Sequence, residues 1–511
     1  MSQHPDDADT ETGPALTPAR RWLILITITS ATTLYAMAIL IVSVVLPQMQ
    51  GSLSATPDQI AWVMTFNILA TAIVTPMTGW LTALFGWRQV MIGAMFGFTV
   101  ATVACGLAGS LESLVAFRVL QGGFGAPLIP LGQAVVLSAF PRRQHSLVTS
   151  IFGMAVVVGP IIGPIVGGYL SELYNWRWAF YMMVPFGLLG LVGLYLFIHD
   201  GGRQRGVRLD WTGFLSLSIA LACLQLVLDR GERLGWLGST EILVEIGLGF
   251  AAFHVFLAHS FTARSPFLNL RLLVDRNYAL GLVIVTIYGM LNFTPMIILP
   301  TMLKELAGYP ETIIGTLLGF RGVGAVLGFF CSMFVGRLDP RIGMTLGFVV
   351  QGISGWDMMG FTPDTTVERV AVNSVLQGLS VGLIWVPLTT ATFSTLPASV
   401  FPETSAVYHL LRNMGSSIFI SISVFTAVRM STISYAELTE FITPFNEVLS
   451  QPGYSDAVDL STVHGLLGIS GEIVRQAEML GFISAFGLYM VASLGVLPLI
   501  MFVRVRKAVG E

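Results

Sequence analysis

Residues 119–131 read VLQGGFGAPLIPL, and residues 375–388 read VLQGLSVGLIWVPL. Both lie in long apolar runs, and their starts are 256 positions apart. A second pair, GWLTALFG (79–86) and GRLDPRIG (336–343), shares Gly, Leu and Gly at an offset of 257. Agreement of two independent offsets marks an internal duplication, so whatever the first half builds the second half builds again.

The material being duplicated is membrane helix. The chain has 511 residues, of which 54% are hydrophobic and only 11% charged, with a mean hydropathy of +0.77. Soluble domains carry about 25% charged residues. The apolar residues come in blocks of about 20, the length that crosses a hydrocarbon layer of about 30 Å. The composition therefore excludes a soluble enzyme and predicts an all-α membrane protein. The net charge of −3 says little, because the placement of charge matters more than its sum. Cys105, Cys223 and Cys331 lie within apolar blocks without CxxC or His/Cys spacing, and read as small packing residues.

Fourteen spans are expected, at 22–46, 58–81, 89–108, 113–138, 147–170, 178–198, 211–229, 241–261, 277–301, 311–335, 342–361, 368–393, 404–428 and 479–503. Residues 1–19 are polar and acidic and read as a disordered tail; the first apolar block is too long for a signal peptide and reads as a retained helix. Of the 26 Lys and Arg, sixteen fall on the side of the termini and seven on the other, which predicts both termini in the cytoplasm. Six helices per repeat account for twelve. The expected organisation is thus a tail (1–19), a six-helix half (20–200), two inserted central helices with linkers (201–275), and a second six-helix half (276–511) carrying a periplasmic loop at 430–478.

The three remaining basic residues, Arg118, Arg321 and Arg412, lie inside spans. An arginine at mid-membrane costs about 2.5–3.5 kcal/mol on insertion scales, so each is either a structural brace or a working charge. The repeat partner of Arg118 is Ser374, so the duplicated fold does not itself demand arginine there. Gln121 in the repeated VLQG, and Asn67, Gln133 and Asn292, are polar residues within spans, suited to interhelical hydrogen bonds or to lining a cavity. Asp357 and His409 are the other titratable candidates at depth. VVVGPIIGPIVGGY (156–169) repeats Gly159, Gly163 and Gly167 every four residues, a bare stripe that lets a neighbouring backbone approach, while Pro160 and Pro164 favour a bend at a fixed place. No phosphate-binding loop, metal cluster or nucleotide motif occurs; GVGAVLG (322–328) has no strand before it.

These stretches carry a resemblance. MQGSLSATPDQIAWV (49–63), NWRWAFYMMVPFG (175–187), LVLDRGERLGW (226–236) and LLRNMGSSIFISI (410–422) resemble signatures of the major facilitator superfamily, in particular its fourteen-helix drug exporters of the EmrB/QacA kind. The resemblance covers roughly residues 20 to 507. It implies two six-helix halves that rock around a central cavity, driven by a proton gradient and without a cofactor. Gly159, Pro160, Gly163, Pro164, Gly167 and Gly168 resemble the exporters' antiporter signature, which implies action at the closing interface between the halves. GWLTALFGWR, with Gly79, Gly86 and Arg88, resembles the superfamily's cytoplasmic loop, but Ala83 stands where an Asp is usual. The usual first-helix Asp is likewise Ala38, which leaves the first half without a deep carboxylate. Arg118 falls where the family couples proton or substrate. The resemblance further implies an inner-membrane exporter of small lipophilic compounds that works with a periplasmic adaptor and an outer-membrane channel. An importer on the same fold is the alternative, and a membrane enzyme or scaffold a more distant one; no nucleic-acid partner is expected.

Overall fold

The computed structural model describes residues 17–198, 203, 208–263, 266–335, 339–442 and 462–504. The expected tail at 1–19 lies almost wholly outside them. The described chain is a bundle of helices, in the order and number the repeat requires. The first half comprises α1 (Pro18–Ser52), α2 (Pro57–Val74, resumed as Thr78–Phe85), α3 (Trp87–Leu107), α4 (Leu111–Gly125, resumed as Leu128–Ala139), α5 (His145–Leu173) and α6 (Met183–Phe197). The inserted pair is α7 (Trp211–Leu234) and α8 (Thr240–Thr262). The second half comprises α9 (Arg276–Glu305), α10 (Glu311–Val335), α11 (Pro340–Met359), α12 (Val367–Phe393), α13 (Phe401–Glu440) and α14 (Val463–Gly495).

Thirteen helices among the described residues are long and apolar enough to cross a membrane. The fourteenth, α11, is 20 residues long, enough for about 30 Å. Its hydropathy is diluted by glycines and by Gln351, Ser354 and Asp357. Local chemistry sets the ends. Thr56 and Gln59 form a reciprocal capping box at the start of α2, and Asp275 and Asp339 accept first-turn amides of α9 and α11. The breaks in α2 and α4 fall at Pro76 and Pro127, where the backbone loses a donor.

Two large hydrophobic cores form, one centred in each half, with Ala134 and Leu137 of α4 packed into the second half's core, and a third, smaller cluster joins the inserted hairpin to α13. The repeat is visible in the packing. In the first half a Cβ on Gly122 would stand 2.4 Å from the Asn67 carbonyl, and in the second a Cβ on Gly378 would stand 1.9 Å from the Arg321 carbonyl. The glycine of each QG pair thus seats α4 on α2 and α12 on α10 in the same way, and Arg321 occupies the place that Asn67 holds in the first half.

The inserted hairpin is tied to both sides. Thr65 of α2 donates to Asp229 of α7 at 2.5 Å, and α7 also packs on α13. Arg230 bridges α7 to Glu241 of α8 at 2.7 Å, and His259 meets Asp210 at 2.8 Å. Between the hairpin and the second half lies an apolar cavity of about 570 Å³, with Leu221, Phe256 and Leu410 in its wall.

Two expectations are corrected here. Residues 430–440 and 463–478, expected as loop, are helical, because α13 and α14 continue well past the length a bilayer needs; only 443–461 lie outside the described residues. Cys331, expected as a packing residue, is exposed, whereas Cys105 and Cys223 are buried as expected.

Candidate functional site

The three intramembrane arginines are all buried, and each is held differently. Arg118 donates from Nε to the Val63 carbonyl (3.2 Å) and from Nη1 to the Ala38 carbonyl (3.3 Å) and to Gln121 Oε1 (2.5 Å). Gln121 in turn donates to Thr102, and Asn67 donates to the Arg118 carbonyl at 2.8 Å. Arg118 therefore ties α4 to α1 and α2. Arg321 does the equivalent for the second half: Nη1 reaches Gln377 Oε1 at 3.3 Å, and Nη2 reaches the Asn292 carbonyl and, at 2.9 Å, its Oδ1. Each repeat therefore places an arginine on its QG glutamine, although the two arginines come from non-equivalent helices. That is why Ser374 can stand opposite Arg118.

Arg412 is held most loosely. Its guanidinium donates to Asn413 Oδ1, at 3.0 Å from Nη2, and lies over the Trp385 ring at 5.3 Å from the centroid. None of the three arginines has an ion-pair partner among the described residues. Three buried cations without a carboxylate give the centre of the bundle a positive potential, strengthened by the low local dielectric.

Asp357 does not offset them. Expected at depth, it sits in the last turn of α11, where Arg369 Nη2 reaches it at 3.0 Å and Asn373 Nδ2 at 2.8 Å. The helix ends two residues later, so this carboxylate belongs to the rim, and its charge is already matched by Arg369.

The halves meet along a seam at the end of the bundle that carries the termini. Ser146 of α5 donates to the Ser332 carbonyl of α10 at 3.3 Å. A Cβ on Gly153 would stand 2.3 Å from the Phe329 ring and 3.0 Å from Trp385. His409 Nε2 is hydrogen-bonded to Gln133 Oε1, joining α13 to α4. A Cβ on Gly79 would stand 3.0 Å from Glu403, so α2 closes on the first turn of α13. The turn glycine Gly86 has φ of +87°, a conformation that suits glycine. Arg88 lies over the Tyr195 ring and donates to the Tyr195 carbonyl at 2.7 Å, bracing α3 on α6 within the first half.

The glycine stripe of α5 is not on this seam, contrary to the expectation drawn from the resemblance. Cβ atoms on Gly159, Gly163, Gly167 and Gly168 would meet Thr33, Met37, Ile41 and Val44, all on α1. The stripe seats α1 on α5 inside the first half. Pro160 and Pro164 lie within an uninterrupted helix. The face of α5 that meets the other half carries Ser146, Gly153 and Ile161. Of these contacts, Gly153 and Trp385 went unread in the sequence, although Trp385 lies within the repeated stretch itself.

A membrane-spanning bundle of two like halves, charged at its centre and closed on one seam, is the build of a multi-pass membrane transporter. The chain belongs to the major facilitator superfamily, whose family model matches residues 28–420. It is 30% identical to the multidrug export protein EmrB of Haemophilus influenzae, over 94% of this chain and 95% of that protein. It is 28% identical to the fatty acid resistance protein FarB of Neisseria gonorrhoeae, over 86% of this chain and 88% of that one. The structure of the human organic anion transporter TETRAN superposes with a TM-score of 0.64 at 11% identity, covering 95% of this chain and all of that one (100%). At that identity the likeness speaks for the fold alone.

Proposed function

We propose that this chain is an efflux transporter of the bacterial inner membrane that exports lipophilic neutral or weakly acidic compounds by alternating access, driven by the proton gradient, with both termini in the cytoplasm. Two packed halves joined along a seam support the rocking motion, and relatives named for export support its direction over the importer alternative. The observation that carries the substrate class is the set of three buried arginines without a carboxylate partner. A centre of that sign attracts anions and disfavours permanent cations, which would meet Arg412 with no counter-charge. Arg118 and Arg321 are committed to carbonyl and amide oxygens, so Arg412, with one amide partner, is the charge available to a substrate.

Everted vesicles offered a panel of lipophilic acids, neutral dyes and quaternary ammonium dyes from outside test this directly, since an exporter accumulates its substrates in them. Acids and neutral compounds are expected to be carried at least several-fold better than the quaternary ions. Arg412→Gln is expected to cost acid transport about tenfold, the equivalent of about 1.4 kcal/mol, and neutral transport little. A panel in which the quaternary cations are carried best overturns the reading.

We further propose a periplasmic adaptor as partner, contacting the helical ends that α13 and α14 carry beyond the bilayer. Photo-cross-linkers placed at Glu437 and Glu472 are expected to capture the adaptor in cells that express both. An adaptor captured equally well after removal of 430–478 would place the contact elsewhere.

A further inference from the structure

The seam gathers buried polar atoms that have no hydrogen-bond partner. They are Gln133 Nε2 on α4, Thr149 Oγ1 on α5, Trp385 Nε1 on α12, and Ser405 Oγ and His409 Nδ1 on α13. All five side chains belong to residues no more than 3% exposed. They share one region: Gln133 is bonded to His409, the His409 and Trp385 rings are 5.7 Å apart, and Ser405 lies one turn before His409. Thr149 lies one turn before Gly153, which abuts Trp385. More than nine in ten buried polar groups in proteins are paired. Each unpaired one costs about 1–3 kcal/mol, a cost relieved when the surface bearing it meets water. Such clustering fits an interface built to part.

Only one of the five side chains has an ordinary titration range between pH 5 and 8, and that is His409. Its ring geometry is specific. Nε2 faces the carbonyl oxygen of Gln133 and so carries the hydrogen, which leaves Nδ1 as a bare acceptor. None of the ionisable groups packed on its ring is acidic; the seam's carboxylate, Glu403, lies six residues earlier on α13 and accepts from the Asn269 backbone amide. Arg412 is one turn along α13, Tyr408 adjoins on α13, and Tyr288 of α9 stands 5.6 Å from Trp385. The facing residues of α4, α5 and α12 are Gln133, Thr149 and Trp385, none of them acidic.

We infer that His409 is the proton acceptor of the transport cycle, taking the proton at Nδ1, and that its protonation opens the seam. This rests on the proton-driven reading and names its site. An imidazolium at His409 places a second positive charge beside Arg412 and faces the α4 and α12 surfaces with no counter-ion. Protonation therefore favours the state parted at the termini end, where the cation meets water, and deprotonation favours the sealed state. In an export cycle that sign lets a proton bound from the far side drive the return that re-exposes the centre to the cytoplasm.

The test uses nitroxide labels on Arg142→Cys, in the turn that leads into α5, and Phe334→Cys, in the last turn of α10, in a cysteine-free full-length chain reconstituted in lipid. Between pH 8 and pH 5.5 the distance distribution is expected to shift to a longer population. His409→Gln, whose amide nitrogen reaches the position of Nε2 and so can still donate to Gln133 but cannot titrate in this range, is expected to hold the short distance at both pH values. An equal shift in the variant, or no shift in the histidine-bearing chain, overturns the inference. If the variant lacks the short distance at pH 8, His409→Asn takes its place. Efflux of 8-anilinonaphthalene-1-sulfonate from proteoliposomes under an imposed pH gradient separates the two claims. A chain bearing His409 that exchanges the dye but ignores the gradient refutes proton drive itself. Gradient-driven efflux that survives His409→Gln within twofold refutes only the assignment.

Discussion

Gly378→Ala is expected to lower the amount of folded protein at least tenfold, for the sake of one methyl group. The new Cβ would stand 1.9 Å from the Arg321 carbonyl oxygen and 2.6 Å from the Ala325 nitrogen. Both are backbone atoms, so no side-chain rotation relieves the contact, and α12 must draw back from α10 by roughly 1.5 Å to reach van der Waals distance. Overpacking of this kind costs typically 1–3 kcal/mol. Here it also pulls Gln377 from Arg321 and Ser332 from the Gly382 carbonyl. The equivalent change in the first half, Gly122→Ala, meets the Asn67 carbonyl at 2.4 Å and is expected to be the milder of the two. Size-exclusion profiles of detergent-solubilised protein rank them. Full recovery of folded Gly378→Ala would show that the QG glycine does not fix the helix spacing.

Arg321→Met is expected to abolish transport while the chain still inserts. The arginine is the donor for three oxygens: the Asn292 carbonyl, Asn292 Oδ1 and Gln377 Oε1. Methionine fills much of the space and removes the insertion cost of the charge, but leaves those oxygens without their donor. A buried acceptor so stranded costs about 1–3 kcal/mol, so a net loss on the order of 2 kcal/mol is expected. Arg412→Met strands only one side-chain oxygen, that of its neighbour Asn413. Thermal unfolding should therefore separate the pair, with Arg321→Met the less stable, whereas acid-substrate transport per folded molecule should fall for Arg412→Met as well. Equal melting of the two variants would refute the division into brace and working charge.

What the sequence made legible follows the range over which each signal acts. Spans show through composition, α11 at 342–361 among them, although Gln351, Ser354 and Asp357 dilute its hydropathy. The stripe at Gly159, Gly163 and Gly167 was legible as close packing, because spacing along one helix defines a face. The helix that covers the face was not legible, and it is α1 rather than the other half. Asp357 was misjudged in depth because burial depends on where α11 stops, and it stops at Met359. The loop expected at 430–478 rests on its place between two apolar spans, but polar residues also suit a helix that has left the lipid. Pairings across the halves, such as Gln133 with His409, join residues 276 positions apart and leave no periodic trace in a single chain.

One of these helices has a mechanical consequence. Helix α13 is unbroken over 40 residues, about 60 Å, twice the thickness of the hydrocarbon layer. Its first turns lie in the seam, at Glu403 and His409, and its last residue, Glu440, falls about 18 Å past the end of the span expected at 404–428. A stiff rod of that length acts as a lever with its short arm in the seam. Tilting it by about 5° displaces the far tip by roughly 5 Å. Events among a few side chains near one surface would thus be signalled at the other without any change inside the helix, and a protein gripping the tip would feel each stroke.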